Sequence, residues 1–429
     1  MKKIFILLLL ITGTGYSLTL EEAQRKALQN NLELKKHHLE YQISKAKEKE
    51  EFQLWYPQLF FNANYTSFKD TMYVNVPLGL TPLPSLQFKQ IDKDFLQVKV
   101  GLNYYLFTGF IRPNKIKIAQ LRVENKKFLT TEKAQEILQN VSLAYTDVLI
   151  SNQLVKVYQE EEKALKALEK KAEKFLEKEL TTKVDLLQVG VQLEKVKLNK
   201  EEARQKKKNA KLFLSYLIGE DVDTVDNLKP IKVKPIHLPP LEVLEKKALT
   251  QRKVLNVAKN AIKESNYIYE IAKGQFLPKI YLQGGYSYTD QNPYISPKDN
   301  LFLTVGSTLQ FQGVKPYYQM LQAKLGKKKA KISFEDLKRR IKLKVQTLYN
   351  QFKTRQKQLE LAKIQLKEAK TYYEMAKKQY ENQLISMTDL LIAHSKYFAA
   401  KSRLVITKYQ LLKTYFKIKR EIGGLSIEK

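Results

Sequence analysis

Two aspartates have the strongest case for a chemical role in this sequence. Asp185 closes the stretch TKVD, three residues after Thr182, and Asp389 closes SMTD, three residues after Ser386. A hydroxyl residue three positions before an acid is the capping-box pattern of a helix start, in which each side chain bonds the other residue's backbone amide. The residues themselves therefore favour a structural helix cap at both places.

The sequence gives little support for metal binding, phosphate binding or nucleophilic catalysis. The four histidines (His37, His38, His237 and His394) are scattered, there is no cysteine, and no H-x-x-x-H spacing occurs. A metal site normally needs such a cluster of ligands. Phosphate-binding glycine loops and nucleophile motifs are also missing from the sequence. We expect no cofactor, no metal and no enzymatic activity.

The chain is strongly basic, with 76 Lys and Arg against 44 Asp and Glu and a formal net charge of +32. Such an excess can indicate nucleic acid or an anionic surface. Here the lysines alternate with glutamates along helical stretches, and the densest runs are QKKKNAK (205–211) and GKKKAK (326–331). This pattern is typical of long solvated helix faces, so no nucleic-acid partner is predicted.

The N-terminus predicts export. Two lysines precede the apolar run from Ile4 to Ile11, and small and polar residues follow up to Ser17. This is the layout of a secretory signal peptide, which we assign to residues 1–17. No later stretch is apolar for about 18 residues, so no membrane-spanning helix is expected.

An internal repeat organises the mature chain. LEEAQRKAL (20–28) resembles LEVLEKKAL (241–249), and Pro57 and Pro278 keep the same offset of 221 residues. Gly109 and Gly313 have an offset of 204, as do Asp185 and Asp389, so the first copy has 17 extra residues between its proline and its glycine. We predict a first repeat at 18–218, a linker at 219–240 rich in proline and turn formers, a second repeat at 241–424 and a tail at 425–429.

Each copy contains one very long helix. The stretch from Pro113 to Glu179 would be roughly 100 Å long at 1.5 Å per residue, so it must pack sideways on other long helices. Apolar residues recur at steps of four, three and four, which is a narrow coiled-coil-like seam. The seam residues are Ile137, Val141, Ala144 and Val148 in the first copy and Ile341, Val345, Leu348 and Phe352 in the second.

Each copy also contains a predicted β-hairpin, at about 58–107 and about 279–311, that begins after a proline. Its strands alternate apolar and polar residues over a length that suits a tilted membrane-crossing strand. We expect these apolar residues to face lipid: Leu96, Val98, Val100, Leu102, Leu301, Leu303 and Val305. A sheet in lipid must close, and four strands are too few. Three chains together would supply twelve strands, which is enough for a closed barrel.

These features together resemble the outer membrane efflux protein family (TolC-like). The resemblance rests on LTLEEAQRKALQNN after the leader, WYPQL and FLPKI before strands, LFTG and LQFQG at turns, and KVDLL and MTDLL near helical tips. It implies a mainly α fold with membrane β structure: long antiparallel helical hairpins form a trimeric α-barrel, continued by a 12-stranded outer-membrane β-barrel with four strands per protomer. It also implies an outer-membrane location with a periplasmic helical extension.

The function implied by the resemblance is that of a passive exit duct for drugs, metals or proteins. Its partners would be two further copies of the chain, a periplasmic adaptor protein, an inner-membrane pump and the lipid of the outer membrane. Such ducts serve tripartite efflux and type I secretion systems. If enough lysines point into the lumen, we expect a preference for anions. The alternative is a periplasmic coiled-coil adaptor or scaffold without a pore.

The resemblance also gives roles to residues at the helical tips. Asp185 would face Tyr380 across neighbouring helices and, with Asp389, form a periplasmic gate that opens as the hairpins untwist. The turn residues would be the most distant from the membrane and would contact the adaptor or neighbouring hairpins: Leu180, Thr181, Thr182, Leu384, Ile385 and Ser386. Two departures affect this region. Glu179 and Gln383 stand where relatives carry turn glycines, and Ile392 replaces a second aspartate.

Overall fold

The computed structural model describes residues 17–77, 86–231, 235–310 and 313–425. Nearly all of the predicted signal peptide and most of the predicted tail lie outside these residues, as does Phe311 at the end of the second predicted hairpin. The chain forms two compact units. One comprises Met1–Leu39, Phe128–Leu255 and Asp336–Lys429, and the other comprises Glu40–Lys127 and Asn256–Glu335.

Helices account for most of the described chain. In order they are α1 (Leu20–Asn30), α2 (Leu32–Phe52), α3 (Ile111–Leu176), α4 (Lys183–Ile218), α5 (Leu241–Gln251), α6 (Lys253–Gly274), α7 (Lys315–Glu381) and α8 (Met387–Glu421). The two predicted long helices are confirmed, because α3 has 66 residues and α7 has 67. Pro113 and Pro316 lie in their first turns, where a proline leaves no helical hydrogen bond unmade. None of the described helices combines the length and apolar character needed to cross a membrane.

The first unit is built on the predicted seams. All eight seam residues are buried, from Ile341 at 4% exposure to Phe352 at 0%. A large core forms where α3 packs with α1 and with the C-terminal parts of α4 and α8. Leu18 and Leu228 form a parallel bridge there, and Val225 is fully buried, so part of the 219–240 segment belongs to this core. The Tyr145 hydroxyl lies 2.7 Å from the carbonyl oxygens of Leu18 and Lys229.

The second unit contains a four-stranded antiparallel sheet. Its strands are β1 (Gln58–Ser67), β4 (Asp94–Phe107), β5 (Lys279–Thr289) and β6 (Asp299–Thr308), in the spatial order β1-β4-β5-β6. Pro57 and Pro278 each directly precede a strand, as predicted. Strand β6 ends earlier than expected, so Leu309 lies beyond it.

The connection between β1 and β4 contains a ribbon that the sequence did not predict. Strands β2 (Met72–Val76) and β3 (Leu86–Ile91) pair antiparallel and form a separate two-stranded sheet. This ribbon lies in the interval where the first copy has its 17 extra residues. The extra length is therefore used at least partly for regular structure.

Candidate functional site

One face of the four-stranded sheet is apolar and exposed. The strand register places Leu59, Leu102, Gly284 and Leu303 in one row across all four strands. Directly paired residues of antiparallel strands lie on the same face. The seven residues expected to face lipid all lie on this apolar face, with Leu301 at 80% and Leu303 at 75% exposure. A soluble sheet would normally cover such a face with other protein.

The opposite, polar face lacks acidic residues throughout the four described strands. One row across it is Gln58, Asn103, Gln283 and Thr304, and another is Asn62, Lys99, Ser287 and Asn300. Its charged residues are Lys99 and Lys279, both exposed, and neither forms an ion pair with a described residue. The face therefore presents hydrogen-bonding groups and positive charge to water.

The two outer strands of this sheet are unpaired along one edge. Among the described residues, β1 pairs only with β4 and β6 pairs only with β5. An open edge exposes backbone donors and acceptors, which is costly in lipid because no water can satisfy them. The sheet therefore combines an exposed apolar face with two edges that are open among the described residues.

The hairpin tips end in two matching turns. After α3, the Leu180 amide donates to the Phe175 carbonyl at 2.8 Å, and after α7 the Leu384 amide donates to the Gln379 carbonyl at 2.9 Å. These are the six-to-one hydrogen bonds of a Schellman motif, which needs a left-handed residue one position earlier. Glu179 and Gln383 occupy those positions with φ of 56° and 62°.

The predicted helix caps are confirmed at the next residues along the chain. The Asp185 amide donates to the Thr182 hydroxyl at 3.2 Å and the Thr182 amide donates to the Asp185 carboxylate at 3.1 Å. Ser386 and Asp389 form the same box at the start of α8. Burial disfavours the Asp185 carboxylate, but hydrogen bonds from Thr182 and Thr181 outweigh it and lower its pKa.

The three residues of the expected gate lie near these turns but do not form one hydrogen-bonded group within the chain. Tyr380 is 6% exposed, and its hydroxyl has no hydrogen-bond partner among the described residues. Burial raises its pKa, the neighbouring Thr181 side chain partly offsets this rise, and the negative charge of Asp185 adds to it. The carboxylates of Asp185 and Asp389 instead accept hydrogen bonds from Thr182 and Ser386, the cap residues of their own helices.

The six expected tip residues differ in their environment. Leu180 and Leu384 are well exposed, at 47% and 71%. Thr182 and Ser386, which cap α4 and α8, are also exposed. Thr181 is half-buried and donates to Asp185 at 2.9 Å. Ile385 packs against the buried cluster near the tips, which contains Tyr380 and Met387.

Two features near the tips escaped the sequence reasoning. Val184, Leu187 and Val191 form an exposed apolar stripe on α4, between 60% and 70% exposed. They recur at the steps of three and four that mark a coiled-coil seam. His394 is 1% exposed between Tyr373 and Phe398, with ring centroids 5.4 and 4.7 Å away, and burial lowers its pKa to about 4. The stripe could have been found from its spacing.

No group of three or more potential metal-ligating side chains occurs within the described residues.

Comparison with known proteins decides the family. The sequence profile described as "Outer membrane efflux protein" matches residues 23–220 and 244–424. The chain belongs to the outer membrane efflux protein family. As a member it is an outer-membrane efflux channel with a periplasmic helical domain. No match was found among curated proteins.

Solved channels share the fold at low sequence identity. The CmeC outer membrane channel of Campylobacter jejuni superposes with a TM-score of 0.78 at 17% identity, over 94% of this chain and 85% of CmeC. VceC from Vibrio cholerae gives 0.78 at 13%, over 94% and 96% of the two chains. The open-state MtrE channel of Neisseria gonorrhoeae gives 0.74 at 16%, over 94% and 89%.

Proposed function

We propose that three copies of this outer membrane efflux protein form one continuous exit duct. Each copy contributes four strands to a closed twelve-stranded barrel and its helical hairpins to a periplasmic tube. The observation that carries this proposal is the sheet with one apolar face, one polar face and two open edges. In lipid such a sheet is stable only if its edges pair, and β6 of one copy with β1 of the next satisfies both.

Transport through the duct is passive. Energy comes from an inner-membrane pump that is coupled through a periplasmic adaptor, as in tripartite efflux or type I secretion systems. The adaptor contacts the exposed tip residues Leu180 and Leu384. The α4 stripe of Val184, Leu187 and Val191 extends this apolar surface along the helix and supports the assignment of a protein partner.

The duct is tested by fractionation and by planar bilayer recording. The protein should be recovered in the outer membrane as an oligomer that dissociates on heating, and the purified oligomer should give discrete conductance steps. Recovery as a soluble periplasmic monomer without conductance would instead support the pore-free adaptor or scaffold.

The tips form the gate in this proposal. Asp185 and Asp389 lie at the helix starts that surround the periplasmic opening, and the buried Tyr380 packs behind them. Asp185→Ala should raise the open probability or the conductance of single channels in bilayers. Thr182→Ala is the matched control, because it removes the cap hydroxyl and keeps the carboxylate. Equal conductance in Asp185→Ala and the unmodified channel would exclude the gate role.

A further inference from the structure

Two adjoining cavities lie on the polar face of the four-stranded sheet, at the end where its strands meet the helices. Their volumes are about 570 and about 240 Å³, and every residue that lines them belongs to the second unit. They adjoin because they share four lining residues, which are Asn103, Tyr105, Ile111 and Lys279. None of the described lining residues is acidic. Concave sites of this size hold small solutes in other proteins.

Three cationic side chains line the smaller cavity. They are Arg112, Lys115 and Lys279, and none of them forms an ion pair with a described residue. The two lysines are exposed, so a ligand can reach them from water. Like charges that line one cavity repel each other when no carboxylate is present, and a bound anion relieves this repulsion. The smaller cavity is therefore complementary to a group with more than one negative charge, such as a phosphate monoester.

Arg112 is the buried member of these three. It is 4% exposed, and its Nη1 and Nη2 atoms donate to the carbonyl oxygens of Leu54 and Tyr105 at 2.8 and 2.6 Å. Its Cζ atom lies 4.1 Å from the centroid of the Trp55 ring. Its Nε atom is buried and has no hydrogen-bond partner among the described residues. A buried guanidinium without a carboxylate is costly, and a nearby anion lowers that cost.

Side-chain amides line most of the larger cavity. They belong to Asn103, Gln275, Gln283, Gln310 and Gln319. Each amide has two donors and an acceptor, which suits the hydroxyl groups of a ligand. The Oδ1 atom of Asn103 is buried, and no described residue donates a hydrogen bond to it. A ligand hydroxyl at this point would satisfy an acceptor whose isolation is otherwise costly.

Two tyrosine rings add apolar surface to the larger cavity. Tyr105 and Tyr281 pair across β4 and β5, with ring centroids 6.4 Å apart and an interplanar angle of 64°. Tyr281 extends over Gly306 of β6, where an added Cβ would lie 2.3 Å from its Cζ atom. The absence of a side chain at Gly306 therefore makes room for this ring. The C–H groups of a sugar or polyol can pack on such a surface while its hydroxyls bond the amides.

We propose that these two cavities bind a hydroxyl-rich organic anion, of which a sugar phosphate is the simplest example. Lys115 and Lys279 hold the phosphate, with the charge of Arg112 behind them, and Asn103 and Gln283 bond the sugar hydroxyls. A lipid headgroup has the same chemistry, but the cavities lie on the polar face of the sheet, so we assign a solute dissolved in water. The site is contained in one chain and does not depend on the proposed trimer.

A simpler interpretation gives these residues structural roles only. Arg112 then joins the turn before β1 to the end of β4 through its two carbonyl contacts, and the amides only hydrate the polar face. That interpretation predicts no saturable binding of a sugar phosphate. It also gives no role to the unpaired charges of Lys115 and Lys279. Because a change at Arg112 would also weaken the fold, the test uses the two exposed lysines.

The test is isothermal titration of the purified protein, in a neutral detergent, with glucose 6-phosphate. The unmodified protein should bind it saturably, and at least about tenfold more tightly than glucose or inorganic phosphate, since each of these lacks one set of contacts. Lys115→Gln and Lys279→Gln should each weaken this binding by about tenfold. Gln283→Leu should weaken the binding of glucose 6-phosphate and leave that of inorganic phosphate unchanged. Lys99→Gln is the matched control, because Lys99 lies on the same face and lines neither cavity, and it should keep the full affinity.

Several outcomes would overturn the site. They are no saturable binding to the unmodified protein, equal affinity of Lys279→Gln and the unmodified protein, and an equal loss of affinity in Lys99→Gln. Displacement of glucose 6-phosphate by phosphatidylglycerol, and not by phosphatidylcholine, would overturn the assignment to a solute and give the site to a lipid headgroup. None of these measurements requires a conducting pore, so failure of the duct in bilayer recordings would leave their result unchanged.

Discussion

Glu179 and Gln383 share a left-handed backbone conformation at equivalent points of two helical hairpins, with φ of 56° and 62°. Each follows the last turn of a long helix and precedes an exposed leucine. Left-handed φ brings the side-chain Cβ close to the backbone, which costs a non-glycine residue about 1 kcal/mol or more. Both turns nevertheless form, because the Schellman hydrogen bonds and the following cap fix the chain on either side.

Replacement of these residues by glycine should therefore stabilise the tips. We expect Glu179→Gly and Gln383→Gly each to raise the free energy of unfolding by roughly 0.5–1 kcal/mol, seen as a higher melting temperature by circular dichroism. Glu173→Gly, in the exposed last turns of α3, is the control and should destabilise by about 1 kcal/mol. A lower melting temperature for both turn variants would show that the turns carry no such strain.

The cap of α8 gives a second prediction. Ser386→Ala removes the hydroxyl that accepts from the Asp389 amide at 3.1 Å. We expect a loss of about 1 kcal/mol in unfolding free energy, because one amide of the first turn is left without its partner. Ser386→Asn keeps a side-chain acceptor and should retain most of the stability. If Ser386→Ala melts at the same temperature as the unmodified protein, the cap contributes nothing measurable.

His394 makes the helical unit sensitive to acid. Its folded-state pKa of about 4 is below the ordinary value of 6.5 because burial disfavours the charged ring. Between these two values the unfolded chain binds a proton that the folded chain does not. Stability should therefore fall as the pH falls through this window, by at most roughly 3 kcal/mol per chain.

The measurement is the difference in melting temperature between about pH 7.5 and about pH 5, compared among variants. His394→Phe keeps aromatic contacts with Tyr373 and Phe398 and should reduce the pH difference. The exposed His237 is the control, and His237→Phe should show the same pH difference in melting temperature as the unmodified protein. An unchanged difference in His394→Phe would assign the acid sensitivity to other groups.

Periodicity made the packing surfaces predictable. Spacing alone predicts that Ile137 and Phe352 lie in buried seams, because apolar residues that recur every three and four positions form one side of a helix, and that side packs against neighbouring helices. Leu303 and Thr304 were likewise assigned to opposite faces from their alternation, since strand side chains alternate by geometry. These features depend on local patterns that the sequence displays directly.

Features that depend on cross-strand and cross-helix neighbours were not predictable in this way. Arg112 and Lys279 line one cavity only because β4 pairs with β5, and these two strands lie far apart in the chain. His394 is buried by Tyr373 on another helix, and nothing in its own segment marks it. The turn conformation of Glu179 was equally hidden, because its residue type disfavours the left-handed region.

Ion selectivity tests the charge of the polar face. Lys99 and Lys279 are its charged residues in the described strands, so a barrel that encloses this face should favour chloride over potassium. Lys99→Gln and Lys279→Gln should each lower the anion preference measured from reversal potentials under a salt gradient, and the double variant should lower it further. Lys206→Gln, on an exposed part of α4, is the control. Firm cation preference in the unmodified channel would contradict this prediction.

The central claim is that one side of the sheet faces lipid and the other faces water. The chain has no cysteine, so single cysteines can be introduced and spin-labelled one position at a time along β6. Labels at Leu301, Leu303 and Val305 should be accessible to oxygen dissolved in lipid, and labels at Phe302 and Thr304 should be accessible to a water-soluble nickel reagent. The reverse alternation, or none, would contradict the account.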